Sequence, residues 1–458
     1  PSAFKQAKVI PLPKSKEVTD VNNYRPISLL SILSKPLERH IQKYLHEYLE
    51  QRNLLHSLQS GFRSNYSCHT ALTRLVDTWL DSMNRLQLTG ALFLDLKKAF
   101  DLVNHQILIR KLHLYLCNAD SVSFFQSYLS NRTQRVLLNG CYSSEGAVRH
   151  GVPQGSVLGP LLFCLFINDL PLHLSDENVV CDMFADDATL HTPHKDISVV
   201  NTRLQQGLQE VSDWSRANHM VLNPSKTECM VITTRQKHQL GLLSLSLSLN
   251  GVAIEQVTKH CLLGLTVDNQ LHWKAHIDRV CNKVSRNLFL LSKLRLYTDI
   301  EARKIFFYAH IRSHVDYVST VWDGSSDVSL KRLNSLYRRA AKMILPDPRL
   351  STDQKLQALN ILPLTYHFQF NKSVFMFKII KQPCPLYFVD KFIVAGSQHS
   401  RSGVRLMAPR PRLDIYKSSL AFSGSFLWNS LPVNIKEAKS LSAFKVSLFR
   451  YFHMRSQS

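Results

Sequence analysis

The stretch Phe184-Ala185-Asp186-Asp187 places two adjacent carboxylates at the tip of a predicted hairpin, with apolar residues before and after it. Ionised side by side, two carboxylates repel each other, and a fold tolerates the pair where a divalent cation supplies the opposite charge. Surface turns are also rich in Asp, so an isolated pair is more often a solvated turn. The two carboxylates are therefore a candidate metal site, and the surrounding sequence has to decide between a metal site and a solvated turn.

A third carboxylate, Asp95, lies inside a second apolar run, residues 91–96. An isolated charge in such a strand is costly to bury, so Asp95 requires a partner, and a shared metal is the natural one. Three carboxylates on two neighbouring strands can hold two Mg²⁺ ions about 3.5–4 Å apart, the arrangement that stabilises attacking and leaving oxygens in nucleotidyl transfer. The pattern predicts that Asp95, Asp186 and Asp187 bind Mg²⁺, with Mn²⁺ as the substitute ion.

The composition favours a nucleic-acid partner. The chain has 56 Lys and Arg against 34 Asp and Glu, a formal net charge of +22, and a pI of about 9.7, which suits a surface that neutralises phosphates. A membrane surface would also attract this charge, but no apolar run reaches the roughly 18 residues of a membrane span. We therefore expect no membrane-spanning segment.

The cysteines and the first residues bear on where the protein acts. Nine cysteines occur without a Cys-x-x-Cys pair or a zinc spacing, which predicts reduced cysteines, an intracellular location and no zinc site. The sequence starts at Pro1 with neither a start methionine nor a signal segment, so we expect it to be a piece of a longer product.

The pattern becomes helical after Trp273. Apolar residues recur at helical spacing between residues 277 and 294 and predict one buried stripe. Three cations of the opposite face are candidate template or primer contacts: Arg279, Lys283 and Arg286. A duplex-binding surface and an ordinary solvated helix face both remain open. Further upstream, Asn250-Gly251 predicts a hairpin after the Leu/Ser alternation of residues 243–249.

A Gly/Pro-rich loop, residues 150–156, precedes an apolar helix, so its backbone N–H groups and the Gln154 amide could face a nucleotide. A simple loop before a core helix is the alternative. Together with six other segments in one order, this loop resembles the palm of a reverse transcriptase of the non-LTR (LINE-like, jockey-type) retrotransposons. The seven segments are residues 7–14, 23–30, 59–63, 93–101, 151–156, 184–187 and 222–227.

The resemblance implies an α+β right-hand polymerase, with fingers, a palm built on an antiparallel sheet, and a helical thumb. The expected bounds are 1–270 for fingers and palm, 271–345 for the thumb, and 346–458 for a mainly helical C-terminal segment of unknown role. The implied activity is RNA-directed DNA synthesis, with an RNA template, a DNA primer and dNTPs as partners, in the nucleus and cytoplasm. No endonuclease segment is found in the sequence.

The resemblance also implies roles for single residues. Asp186 is expected to bind metal most directly, with Asp187 as a looser ligand. Lys226 would act as general acid toward the leaving pyrophosphate. Phe100 would exclude a 2′ hydroxyl, although a core aromatic is the competing interpretation. The other implied contacts are Lys14 and Arg25 to the triphosphate, and Gln154 and Gly155 near the nucleotide.

Three further polar residues lie close to these motifs. Arg63 would either contact the template backbone or brace the fingers. Asp101 is interpreted as a helix N-cap and Asp182 as a half-exposed strand residue, so both are left out of the site.

Three rival functions are weighed against this interpretation. An RNA-dependent RNA polymerase would need a small or polar residue at Phe100, and a group II intron-type reverse transcriptase would usually carry a zinc-dependent nuclease tail. The third rival is a catalytically decayed or co-opted nucleic-acid-binding protein derived from such an element.

Overall fold

The structure is a computed structural model that describes residues 1–14, 20–116, 118–241, 243–382, 385–395 and 404–457. Its strands are β1 (Gln6–Pro13), β2 (Tyr24–Leu29), β3 (Leu88–Leu94), β4 (Arg132–Leu138), β5 (Cys141–Tyr142), β6 (Gly146–Val148), β7 (Val180–Phe184), β8 (Asp187–His194), β9 (Glu228–Ile232), β10 (Ser248–Leu249), β11 (Val252–Ala253), β12 (Glu255–Gln256), β13 (Lys259–Leu262), β14 (Leu265–Asp268), β15 (Val394–Ala395) and β16 (Arg405–Leu406).

Helices carry the larger part of the described chain. They are α1 (Ser34–Gln51), α2 (Cys68–Asn84), α3 (Ala99–Leu102), α4 (His105–Tyr115), α5 (Ala119–Leu129), α6 (Gly159–Ile167), α7 (Ile197–Ala217), α8 (Arg235–Leu240), α9 (Lys274–Leu294), α10 (Ile300–Phe306), α11 (Ser313–Asp316), α12 (Ser319–Trp322), α13 (Asp327–Ile344), α14 (Thr352–Ala358), α15 (Leu364–Lys381), α16 (Ser425–Ser430), α17 (Val433–Lys436) and α18 (Leu441–Arg455).

The central sheet has the strand order β12-β9-β3-β8-β7. All seven residues of β3 are buried, because the strand is mostly apolar and is covered on both faces. Side chains alternate along it: Leu92 and Leu94 join the core that contains α7, whereas Ala91 and Phe93 join the core that contains α2. The predicted apolar strand is confirmed for residues 91–94 and is the centre of the sheet, but the prediction that Asp95 lies inside it is wrong, because β3 ends at Leu94.

A second sheet, with the order β2-β1-β4-β5 and β6 beside β4, forms the other β layer. β1 pairs with β2 in antiparallel fashion from Lys8↔Leu29 to Pro13↔Tyr24. The N–H of Ser28 on β2 donates to the backbone oxygen of Gln154 at 2.7 Å. This bond joins the second sheet to the loop that precedes α6, which is the predicted nucleotide loop.

The hairpin predicted at Asn250-Gly251 is confirmed as the turn between β10 and β11. Both turn residues have positive φ, +52° and +78°, as a two-residue hairpin of this kind requires. The Leu/Ser alternation before it is only partly a strand, since β10 contains residues 248–249 alone. Leu245, Leu247 and Leu249 are nevertheless buried, so the alternation still directs one side of the segment into the core.

The helix predicted after Trp273 is confirmed as α9. Its buried residues include Ile277, Val280, Val284, Leu288 and Leu291, as the spacing predicts. The prediction that Leu294 belongs to the buried stripe is wrong. Leu294 is 38 % exposed, because it is the last residue of the helix.

The second hydrophobic core joins α2, the central sheet and α9–α13, and it also takes in residues 356 and 416. A third core lies within residues 362–452 and contains α15 and α18. The predicted mainly helical character of residues 346–458 is consistent with these helices. The domain bounds at 270 and 345 stay predictions. Within the described residues, no helix combines the length and apolar character needed to cross a bilayer.

His276 ties α9 to β14 and makes the second core sensitive to pH. It is 3 % exposed, and its Nδ1 accepts the Thr266 N–H at 3.2 Å, which requires a neutral ring. Burial, together with the charges of Arg279 and Lys283, lowers the pKa of His276 from 6.5 to about 4. The unfolded chain therefore binds more protons between these two pH values, and the stability from the neutral ring is lost as pH falls below 6.5.

We predict that lowering the pH from 7 to 5 reduces the free energy of unfolding by about 1–2 kcal/mol through His276. The variant His276→Gln keeps an acceptor for Thr266 but does not titrate, so its stability should fall less over the same interval. Urea titrations of both proteins at the two pH values measure the difference. An equal loss in both would contradict the assignment.

Candidate active site

The two adjacent carboxylates lie where the hairpin was predicted. β7 and β8 pair up to Phe184↔Asp187, which leaves a two-residue turn of Ala185 and Asp186. Ala185 has φ +58°, a left-handed conformation that residues with a Cβ seldom adopt. The turn is held from outside: the Ala185 N–H donates at 3.1 Å to Oε1 of Gln59, which also accepts the Gly61 N–H at 2.7 Å.

The segment around Gln59 supports the hairpin by pairing with β7 through backbone hydrogen bonds. The Met183 N–H donates to the Leu58 oxygen at 3.0 Å, and the Ser60 N–H donates to the Met183 oxygen at 2.8 Å. Gly61 lies directly against the turn, because a Cβ at Gly61 would come within 2.4 Å of the Ala185 nitrogen. These positioning residues were missed in the sequence, although all of them lie at or beside the motif of residues 59–63.

Asp95 is the first residue after β3. Since the last pair of β3 and β8 is Leu94↔Ala188, continuing the register places Asp95 beside Asp187. Nδ2 of Asn223 donates to Oδ2 of Asp95 at 2.9 Å, and the Asn223 N–H donates to the Asp95 backbone oxygen at 2.9 Å. Asn223 thus orients the carboxylate. The sequence analysis missed it, although it lies in the same motif as Lys226.

The three carboxylates interact through their charges. Burial raises the pKa of Asp186, and the negative charge of Asp95 raises it further, while Arg25 opposes these effects. Burial, with the charges of Asp186 and Asp95, raises the pKa of Asp187 to about 6. The end of the central sheet is therefore a place where negative charge is concentrated and a cation would be favoured.

The carboxylates do not form a closed ligand set. In the part of the chain that the structure describes, no three His, Cys, Asp or Glu side chains are grouped so that they could hold a metal ion by themselves. Mg²⁺ in nucleotide sites is bound by one or two carboxylates and takes its other ligands from water and substrate phosphates. An open group of carboxylates in electrostatic contact fits an ion that is shared with a nucleotide.

The two predicted triphosphate contacts lie on the second sheet. Arg25 is exposed on β2 and is close enough to Asp186 to lower the pKa of that carboxyl. Lys14 is exposed just beyond β1, and its charge lowers the pKa of Asp101, although burial of Asp101 dominates and raises it. Both cations are therefore within electrostatic range of the site.

Phe100 lies between two other aromatic rings. It stacks on Phe163 with ring centroids 4.3 Å apart and meets Phe62 edge-on at 6.2 Å. Phe163 is fully buried and Phe62 is 48 % exposed, so Phe100 lies between the core and the open site. Its half-buried position is compatible with both interpretations, a sugar gate and a core aromatic.

The loop before α6 depends on Gly155. Its φ is +125°, and a Cβ there would lie 2.4 Å from the Ser28 oxygen. Nε2 of Gln154 donates to Oδ1 of Asp101 at 2.8 Å. The N-cap assigned to Asp101 is wrong, because Asn104 caps α4 through two backbone N–H groups. Asp101 instead accepts the Gln154 amide and so holds the predicted nucleotide loop in place.

Comparison with known proteins identifies the chain. A family model described as reverse transcriptase (RNA-dependent DNA polymerase) matches residues 12–267, more than half of the sequence. The chain belongs to the reverse transcriptase family. The predicted family and the right-hand polymerase fold are confirmed.

Two relatives of the chain come from mobile elements. The probable RNA-directed DNA polymerase from transposon BS of Drosophila melanogaster is 30% identical over 360 residues, covering 76% of this chain and 39% of the relative. The RNA-directed DNA polymerase from mobile element jockey of the same fly is 31% identical over 332 residues, with coverage of 67% and 35%. The chain thus spans less than two thirds of the length of these relatives.

Among solved structures, apo telomerase from Candida tropicalis matches with a TM-score of 0.43 and 13% identity, covering 83% of this chain and 67% of that chain.

Arg63 is buried, with 6 % of its surface exposed. Its guanidinium forms a bidentate pair with Glu50, at 2.8 and 2.7 Å, and donates to the backbone oxygens of His56 and Gln59. Of the two roles that the sequence left open, this geometry favours bracing of the fingers over contact with the template backbone.

Asp182 was expected to be a half-exposed strand residue. It lies on β7 and forms an ion pair with Arg74 and a 2.9 Å hydrogen bond with His191. Burial acts to raise the pKa of Asp182, but the charge of Arg74 and the bond to His191 outweigh it and leave the pKa lowered. The residue is a paired charge that fixes the hairpin on α2.

The remaining predicted cations are exposed. Lys226 lies on the turn after Asn223, and its N–H donates to the Asn223 oxygen at 3.2 Å. Arg279, Lys283 and Arg286 lie on the exposed face of α9. Of these, Arg279 contacts the β13–β14 hairpin through the Gly264 oxygen and the Thr266 hydroxyl, at 3.4 and 3.3 Å.

We predict that Gly61→Ala reduces primer extension by about 10–100-fold while the protein stays folded, because the added Cβ displaces Ala185 and with it the carboxylates. Steady-state extension rates and thermal unfolding measure the two effects. Gly146→Ala is the matched control, since the nearest atom to a Cβ there is 4.0 Å away. Equal activity of the two variants would contradict the role given to Gly61.

Proposed function

We propose that this chain is the RNA-directed DNA polymerase of a non-LTR retrotransposon, which adds dNTPs to a primer 3′ hydroxyl by two-metal catalysis. The observation that carries the proposal is the meeting of three carboxylates, Asp95, Asp186 and Asp187, at the adjoining ends of β3 and the β7–β8 hairpin. Membership of the reverse transcriptase family supports the reaction type.

When bound at these carboxylates, two Mg²⁺ ions, or Mn²⁺ in their place, would lower the pKa of the primer hydroxyl and neutralise the triphosphate. Asn223 keeps one Asp95 oxygen fixed through its 2.9 Å bond, so Asp95 presents the other. Gln59 keeps the Asp186 turn in its left-handed conformation. Both side chains reduce the reorganisation needed when the substrate arrives.

The cations around the site would act on the triphosphate. Arg25 and Lys14 bind the β and γ phosphates, where charge accumulates as pyrophosphate leaves. Lys226 donates a proton to that leaving group, and its turn is anchored on the same Asn223 that orients Asp95. Gln154 and Gly155 shape the loop beside the nucleotide, and Phe100 excludes a 2′ hydroxyl.

The partners are an RNA template and a DNA primer. The net charge of +22 suits a phosphate backbone, and the exposed cations of α9 extend the positive surface away from the active site. The expected location is the nucleus and cytoplasm, as the family resemblance implies.

We predict that the wild-type chain extends a DNA primer on an RNA template with Mg²⁺. The extension rate of the double variant Asp186→Ala/Asp187→Ala should be at least about 1000-fold lower. Primer–template affinity in low salt should stay within about twofold, because the cations that bind phosphates are unchanged. The control is Asp213→Asn, an exposed carboxylate of α7 that pairs with Arg216.

A wild-type chain that binds primer–template but extends nothing with Mg²⁺ or Mn²⁺ would contradict the proposal. The decayed or co-opted nucleic-acid-binding protein would then be the better interpretation.

We predict that Phe100→Val raises the rate of rNTP relative to dNTP incorporation by about 10–100-fold, since a pocket contact of this kind contributes about 1–3 kcal/mol of discrimination. Single-nucleotide extension with each sugar measures the ratio. Phe125→Val removes a core ring that is 3 % exposed on α5 and should lower stability alone. If Phe100→Val slows both nucleotides equally and lowers the melting temperature as Phe125→Val does, Phe100 is a core aromatic.

A further inference from the structure

Helix α2 is packed on both sides. Its buried residues include Asp77, which lies among apolar neighbours and is 3 % exposed. A buried carboxylate is costly unless it is paired and hydrogen-bonded. Asp77 accepts the N–H groups of Leu420 and Ala421, at 2.6 and 3.1 Å, and pairs with Lys391 at 2.8 Å. All three partners belong to the C-terminal segment, residues 346–458.

Two more side chains of α2 bind the same segment. Oδ1 of Asn84 accepts the N–H groups of Arg412 and Leu413, at 2.7 and 3.1 Å. At the other end of the helix, His69 stacks on Phe375 with ring centroids 4.4 Å apart. The C-terminal segment is therefore attached along the whole length of α2 and not at a single point.

One residue of this segment reaches the support of the catalytic hairpin. Tyr387 lies in the short helical turn Leu386–Lys391, and its hydroxyl is 3.3 Å from Oγ of Ser60. Its ring meets Tyr66 edge-on at 5.5 Å, and the Arg74 guanidinium lies 5.9 Å from the ring centre. Ser60 and Arg74 are the residues that bind Met183 and Asp182 of β7.

We propose that the C-terminal segment braces the active site, and that Tyr387 is a positioning residue which holds Ser60 and Arg74 against β7. The effect on catalysis rests on the proposed polymerase function. Through Ser60 and its neighbour Gln59, the hydroxyl of Tyr387 stabilises the left-handed turn that presents Asp186. The carboxylates at the end of the palm thus depend on residues more than 200 positions away in the sequence.

The test is a hydroxyl-deletion cycle in the full chain, with Tyr387→Phe, Ser60→Ala and the double variant. Each single variant should lower kcat by about 3–10-fold, the value of one hydrogen bond, with primer–template Kd and dNTP KM within about twofold. The double variant should be no slower than the slower single variant, because both remove the same contact. Tyr451→Phe is the matched control: it removes a hydroxyl of the same segment that bonds Arg455 on α18.

Hydrogen exchange gives a readout that does not need activity. The amides of Ser60, Met183 and Ala185 should exchange at least about fivefold faster in Tyr387→Phe and Ser60→Ala than in wild type or Tyr451→Phe. If the wild-type chain extends no primer, the proposed function fails, and exchange alone decides the brace.

Two outcomes would overturn the brace. Weaker primer–template binding with unchanged kcat would make Tyr387 part of a nucleic-acid surface. Unchanged kcat and unchanged exchange in both single variants would leave the contact without a role. If Tyr387→Phe unfolds the segment, Ser60→Ala tests the same bond from the palm side.

Discussion

Mutual repulsion of three carboxylates is the constraint on which the rest of this structure depends. Burial and the charge of Asp95 raise the pKa of Asp186, and burial with the charges of Asp186 and Asp95 raises the pKa of Asp187. The protein keeps them together by fixing the backbone that carries them. β3 is buried along its whole length, and a left-handed residue at the hairpin tip is held by a side chain from another segment. A rigid sheet end allows a cation, and not a conformational change, to relieve the repulsion.

The residues that support the hairpin come from two parts of the chain. Gln59 holds the turn, Ser60 pairs with β7, and Arg74 neutralises Asp182 in the middle of that strand. Each bond comes from the segment of residues 58–61 or from α2. The position of α2 therefore matters as much for the site as for the core, since it faces the central sheet on one side and the C-terminal segment on the other.

The sequence predicted the structural features that depend on local patterns. It missed the side chains that act on residues far away in the chain. The hairpin at Asp186, the strand before Asp95 and α9 follow from turn residues and periodicity, which act over a few positions. Gln59, Asn223 and Tyr387 act on residues 126, 128 and 327 positions away, and no periodicity carries that information. The N-cap at Asp101 was wrong for a local reason, because Asn104, directly before α4, caps that helix.

One physical rule nevertheless applied beyond the site. A carboxylate inside an apolar strand needs a partner, and that argument led to Asp95. Asp77 meets the same condition on helix α2, between Val76 and Trp79 in the core. Its need for a partner was missed in the sequence. For Asp95 the proposed partner is a cation, because the residue lies at an open sheet end. For Asp77 the partner is the C-terminal segment, because the helix is covered.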